Sequence, residues 1–142
     1  MPIILDTDIV SIMFRKAQPA YASLHRRLAL HPPQEIAVCI VSFQEEMKGW
    51  LAFINKARTP AKIVEAYGKL GKALREFCQM RVLPFDDAAQ VRFTELRRNR
   101  IRIGTLDLRI ASVALATGAI LVSRNLRDFK HVPGLRVEDW TI

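Results

Sequence analysis

The chain has 142 residues, half of them apolar and a quarter charged, and a formal net charge of +8 from 22 Lys and Arg against 14 Asp and Glu. That size fits one domain with a full core, so residues 1–142 are expected to form a single domain. No run approaches the roughly 18 apolar residues of a membrane span, and Met1-Pro2-Ile3-Ile4-Leu5-Asp6 carries no basic leader, so the sequence reads as cytoplasmic with no membrane partner. The basic surplus favours a polyanionic partner without saying which.

In chain order, short apolar runs alternate with helical patterns, as in α/β proteins. Strands are expected at Ile3-Ile4-Leu5, Glu35 to Ile40, Arg81-Val82-Leu83, Ala119 to Val122 and Leu135-Arg136-Val137. Their continuous apolar character suits a parallel sheet covered on both faces. A helix over Ala20 to Leu30 is stopped by Pro32-Pro33. Phe43, Met47, Trp50, Leu51 and Ile54 form one helical stripe, and Ile63, Tyr67, Leu70, Leu74 and Phe77 a second after Thr59-Pro60, a Thr cap with Pro at the first helical position. Together they predict a helical hairpin at about 43–79. Further helices run from Asp86-Asp87 to about Arg98 and from Thr105 to just before Gly118, a good C-cap residue.

Cys39 and Cys78 belong to no Cys-x-x-Cys and read as two buried free thiols. His25, His31 and His131 are scattered, which leaves little basis for zinc or a His-based triad.

The acids at strand and helix junctions carry the chemistry. Asp6 and Asp8 follow the first strand, where ligands bind in open α/β sheets, although an Asp there can also cap a helix. Glu45 lies in Ser42-Phe43-Gln44-Glu45, which also matches a capping box. One turn on is Gly49, costly inside a helix unless something approaches that face; Glu46 points elsewhere and reads as solvated. Asp107 stands in the first turn of its helix, where the dipole favours it, with small Ala111 and Ala114 beyond as room for a metal and a phosphate. Asn125 and Asp128 follow the fourth strand.

The joint pattern resembles the PIN domain, in particular bacterial VapC-like proteins. It rests on Ile4-Leu5-Asp6-Thr7-Asp8, on Glu45 with Gly49, on Gly104-Thr105-Leu106-Asp107-Leu108-Arg109-Ile110-Ala111, on Leu121 through Phe129, and on the tail Val132-Pro133-Gly134-Leu135 with Glu138-Asp139-Trp140. The resemblance implies a three-layer α/β/α fold with a central parallel sheet of about five short strands. It implies catalytic, metal-holding carboxylates at Asp6, Glu45 and Asp107, with Asp128 as the fourth and Asn125 as its polar partner; Thr7, Asp8, Thr105 and Ser123 support them. It further implies a Mg²⁺-dependent (or Mn²⁺-dependent) endoribonuclease leaving a 5′-phosphate and a 3′-hydroxyl. That enzyme would be the toxin of a type II VapBC-like toxin–antitoxin system, homodimeric and bound by an antitoxin protein. Mg²⁺ takes hard oxygen ligands and keeps several waters, so carboxylates suffice. Arg97, Arg98, Arg100, Arg102, Arg124 and Arg127 are the candidate RNA contacts, offsetting the repulsion between clustered acids and a phosphate backbone.

Two other readings fit part of the pattern. A non-catalytic RNA-binding PIN-like module would keep the acids only as helix caps. Leu5-Asp6-Thr7-Asp8 is also similar to the D-x-D of haloacid-dehalogenase-type phosphatases, but no Lys is evidently placed for the phosphate.

Overall fold

A computed structural model describes residues 1–142. Five strands, β1 (Ile3–Leu5), β2 (Ile36–Cys39), β3 (Arg81–Leu83), β4 (Ile120–Val122) and β5 (Arg136–Glu138), pair all-parallel in the order β3-β2-β1-β4-β5. Leu5 is level with Val38 on one side and Val122 on the other. The helices are α1 (Thr7–Arg15), α2 (Ala20–Leu28), α3 (Ile40–Lys56), α4 (Pro60–Cys78), α5 (Asp87–Arg98), α6 (Thr105–Thr117) and α7 (Leu126–Phe129).

Side-chain alternation along the strands sends residues to two cores. Ile4, Ala37, Cys39 and Leu121 meet Leu108, Ile110 and Ala114 of α6 and Ala89 and Leu96 of α5. Ile3, Leu5, Val38 and Val122 meet Ile9 and Val10 of α1, Leu24 and Leu28 of α2 and Phe77 of α4. Helices thus cover both faces, giving the expected α/β fold with a five-stranded parallel sheet. Trp140 seals the second core, with the His31 ring stacked 5.1 Å away and the Arg27 guanidinium 5.0 Å from its centre. No helix is long and apolar enough to cross a membrane.

Local signals set several boundaries. Thr59 Oγ1 accepts from Lys62 N at 3.2 Å ahead of Pro60, and Gly118 ends α6 in the left-handed conformation at φ 67°. The strand after Pro32-Pro33 is shorter than expected because Pro33–Glu35 form a 3₁₀ turn and Ile40 already belongs to α3. The fifth strand starts one residue late, at Arg136, and α2 stops at Leu28. The helix α1 and the four-residue α7, the latter too short for a periodicity signal, are additions to the expected elements.

The hairpin forms from α3 and α4, but its buried face differs from the expected stripes. Ala66, Ala73 and Phe77 are buried, while Tyr67, Leu74 and Leu51 are more than half exposed. Small side chains at the contact let two helices approach closely, so alanines displace the larger residues from the packed face. Cys78, one residue past Phe77, is exposed rather than buried.

Candidate active site

The strand order reverses between β1 and β4, and the carboxyl ends of these two strands frame the crevice in which open α/β sheets bind ligands. Asp6 is the first residue beyond β1, and its N–H extends the ladder by donating to Val122 O at 2.9 Å. The residue is 5% exposed, and its Oδ1 accepts from Thr7 N at 2.9 Å and its Oδ2 from the Ser123 hydroxyl at 2.7 Å. Asp6 therefore both caps α1 and belongs to the buried site. Burial, followed by the negative charge of Asp8, pushes its pKa up to about 7. Ser123 is wholly buried and also accepts from Asn125 N at 2.9 Å, tying the turn after β4 to Asp6.

Asp8, in the first turn of α1, takes a 3.3 Å hydrogen bond on Oδ2 from Arg124 N, while its Oδ1 is buried with no partner. Burial raises its pKa, against the lowering effect of the Arg124 amide. Glu45 reaches the same end of the sheet from α3. Thr7 Oγ1 donates to Glu45 Oε1 at 2.7 Å and stands 3.0 Å from the Ser42 hydroxyl. The capping box does not form: α3 begins three residues earlier, at Ile40, capped by Cys39, whose Sγ accepts from Val41 N at 3.4 Å. Ser42 is then inside the helix, and Glu45 is free to face α1.

Asp107 sits in the first turn of α6 and is half-buried. Burial raises its pKa, and the charges of Glu45, Asp128 and Asp8 raise it further. Asp6, Asp8, Glu45, Asp107 and Asp128 thus sense one another at one end of the sheet. Ala111 and Ala114 do not clear room beside Asp107; both are buried in the core beneath α6. Asn125 caps α7, accepting from Asp128 N at 3.3 Å, and its amide donates to Asp128 Oδ2 at 3.1 Å. Thr105 is exposed at the first residue of α6.

Other residues depart from their sequence reading. Glu46 is partly buried rather than freely solvated, and its Oε1 accepts from the Ser11 hydroxyl at 2.8 Å. A Cβ added at Gly49 would meet nothing within 4 Å, so no part of this chain approaches that face. Cys39 keeps its proton, its pKa pushed up to about 11 mainly by burial.

Arg124 is exposed beside Asp8, and Arg127 is exposed on α7. Arg97, Arg98, Arg100 and Arg102 are exposed near the turn from α5 to α6, which delivers the chain to Asp107. The Arg97 guanidinium lies 5.2 Å from the Phe93 ring centre, and that of Arg109, which sequence reasoning did not single out, 5.5 Å from the same ring. Asp8 is more deeply engaged than its supporting role implied. The D-x-D spacing after β1 was the available signal.

No three His, Cys, Asp or Glu side chains are drawn together tightly enough to close directly on one ion. The donor set nevertheless fits a hard, hydrated divalent cation. It is all oxygen, its buried acids have raised pKa values, and Asp8 offers a buried oxygen without a partner.

A doubly covered parallel sheet with acids clustered at its switch point defines an α/β protein with an acidic crevice at the carboxyl ends of its strands. A PIN domain model matches residues 3–135, and the chain belongs to the PIN domain family. It is 36% identical over 66 residues to the tRNA(fMet)-specific endonuclease VapC of Salmonella typhimurium, covering 44% of this chain and 50% of the relative. It is 47% identical over 47 residues to ribonuclease VapC2 of Rickettsia felis, covering 33% and 35%. These alignments span half or less of the curated relatives' length. In structure it is similar over 99% of both chains to one in the crystal structure of VapBC2 from Rickettsia felis bound to a promoter DNA fragment, with TM-score 0.73 and 26% identity. A chain of DNA-bound VapBC from Salmonella typhimurium shares the fold at TM-score 0.70 and 23% identity, over 99% of this chain and 98% of that one.

Proposed function

We propose that this chain, as one PIN domain, is a divalent-metal-dependent endoribonuclease and the toxin of a VapBC-like toxin–antitoxin pair acting in the cytoplasm. The observation that carries this reading is the gathering of Asp6, Asp8, Glu45 and Asp107 at the β1–β4 switch point, with Asp6 raised to about 7 and no Lys or Arg in ion-pair range of it. Such acids are costly to hold together unless a positive charge joins them. The similarity to curated VapC ribonucleases supplies the reaction class.

Asp6, Glu45, Asp107 and Asp128 would hold Mg²⁺ or Mn²⁺, directly or through water, with Asp8 Oδ1 as a further oxygen. Such a cation supplies charge neutralisation at the phosphate and a stronger water nucleophile at neutral pH. Ser123 and Thr7 hold the Asp6 and Glu45 carboxylates in place through bonds of 2.7 Å each. Asn125 fixes Asp128, which orients the attacking water. Arg124 and Arg127, with Arg97, Arg98, Arg100 and Arg102, position the phosphate backbone.

The partners proposed are RNA, an antitoxin covering the acids, and a second copy of the chain. For the last, the hairpin offers exposed Leu51, Phe53, Ile63, Tyr67 and Leu74. The deciding experiment incubates the protein with structured RNA in EDTA and after restoring Mg²⁺ or Mn²⁺. Cleavage that returns with the metal and is lost in Asp6→Asn supports the reading; metal-independent or absent cleavage overturns it.

A further inference from the structure

We propose that the groove between α1 and the α3–α4 hairpin is the track for the single strand flanking the cleaved bond, with Arg15 and Lys69 as phosphate contacts and Trp50 as its aromatic wall. The inference rests on the ribonuclease reading and extends that same site outward.

Two adjoining hollows form the groove. The first, about 300 Å³, is bounded by Glu45, Gly49, Trp50 and Arg15. The second, about 290 Å³, continues past Arg15 and Trp50 to Lys69 and Lys72. Arg15, Glu46 and Trp50 line both, so the path is continuous and one end opens on Glu45. Gly49 keeps its floor low, since no side chain occupies that face.

The charges along this path are not all spent within the protein. Glu76 is paired with Lys72 at 3.7 Å and Glu46 accepts from Ser11 at 2.8 Å, leaving Arg15 and Lys69 without a carboxylate in ion-pair range. The Lys69 ammonium instead lies 5.9 Å from the centre of the Trp50 ring. Beneath it the Trp50 indole N–H is buried with no acceptor. An orphaned donor is destabilising, and a phosphate or ribose oxygen arriving as Lys69 swings toward a ligand would satisfy it.

The order of charges is what a polyanionic strand needs. A phosphate placed among the acids tolerates them through a bound cation, whereas the neighbouring phosphates meet protein alone and need Lys or Arg. With Lys72 paired to Glu76 and Glu45 at the cation end, Arg15 and Lys69 outweigh Glu46 along the rest of the groove, and a path of that sign with an aromatic wall suits single-stranded nucleic acid with little sequence preference.

Binding of a fluorescently labelled single-stranded RNA oligonucleotide, measured in EDTA across a salt series, tests the groove without requiring catalysis. For the double variant Arg15→Gln/Lys69→Gln, loss of two phosphate contacts lowers the salt-dependence slope by about 1.4 and weakens binding by about ten-fold or more. Arg81→Gln, at the amino end of β3 and the far end of the sheet, leaves the slope unchanged. An unchanged slope in the double variant, an equal loss in Arg81→Gln, or no RNA binding by the natural protein overturns the proposal. So does retained RNA binding with loss of an acidic peptide instead, which would assign the groove to a protein partner. With Mg²⁺ present, a dinucleotide too short to enter the groove is cleaved by the double variant as by the natural protein. Failure of the natural protein to cleave any RNA counts against the ribonuclease reading, and the salt slope still decides the groove.

Discussion

The Ser123 hydroxyl stands 2.7 Å from Asp6 Oδ2, bridging the turns that leave β4 and β1. This bond lowers the pKa of Asp6 against the larger upward push of burial. Ser123→Ala therefore raises the Asp6 pKa further and leaves the Asn125 amide without its acceptor. We expect a loss of roughly 1–3 kcal/mol in stability by urea unfolding. The acidic limb of the pH–rate profile moves to higher pH, and a limb that stays put would remove Ser123 from any role at Asp6.

Asp6→Asn abolishes cleavage while RNA binding persists or tightens, because a negative charge facing the phosphate is gone. The same variant reports on stability in the metal-free protein. The folded pKa of Asp6 is about 7, above the usual carboxylate value, so the folded state retains a proton that the unfolded chain releases. Stability therefore falls as pH rises from about 4 to the folded pKa and stays lower beyond it, by a few kcal/mol. Melts in EDTA at about pH 4 and about pH 8 should show Asp6→Asn gaining on the natural protein only at the higher pH.

Mg²⁺ or Mn²⁺ should raise the melting temperature, since a ligand that binds the folded state stabilises it by about 1.4 kcal/mol at ten times its Kd. Protons compete with the cation for Asp6, Asp8 and Asp107, whose pKa values are all raised, so the gain is greater at higher pH. Asp107→Asn should reduce the gain. An equal gain in Asp107→Asn places the cation elsewhere.

Thr7→Val keeps the shape of α1 and deletes the 2.7 Å hydrogen bond to Glu45. Loss of a group that orients a ligand typically costs about 10–100-fold in metal affinity. Metal-activation curves should shift by that amount, with full activity recovered at saturating Mn²⁺. A lower plateau at saturation would instead assign Thr7 a part in the reaction.

Local pattern picks out the candidate acids where one residue type in one place suffices. Asp6, Asp107 and Asp128 come from distant segments, yet each occupies a strand or helix junction that such pattern identifies, whereas Glu45 lies in the second turn of α3. Local pattern fails where the answer depends on what lies opposite. The capping box around Ser42 and Glu45 is ruled out by the earlier start of α3, and Glu45 turns to Thr7 of another helix. The small side chains of Ala111 and Ala114 suggest space for a ligand, but the core fills that side of α6. The stripe through Tyr67 and Leu74 is a sound amphipathic pattern, but alanines at 66 and 73 win the contact with the neighbouring elements.

Residues a few positions apart set the alternation of strands and helices, because apolar runs, prolines, caps and glycines act over short range. Composition supplies the acids and the basic surplus. The reversal of the sheet between β1 and β4, the burial of Asp6 there and the partnerless buried oxygen of Asp8 arise only in the folded chain. Burial and charge–charge repulsion depend on distances through space, and those exist only once the chain has folded.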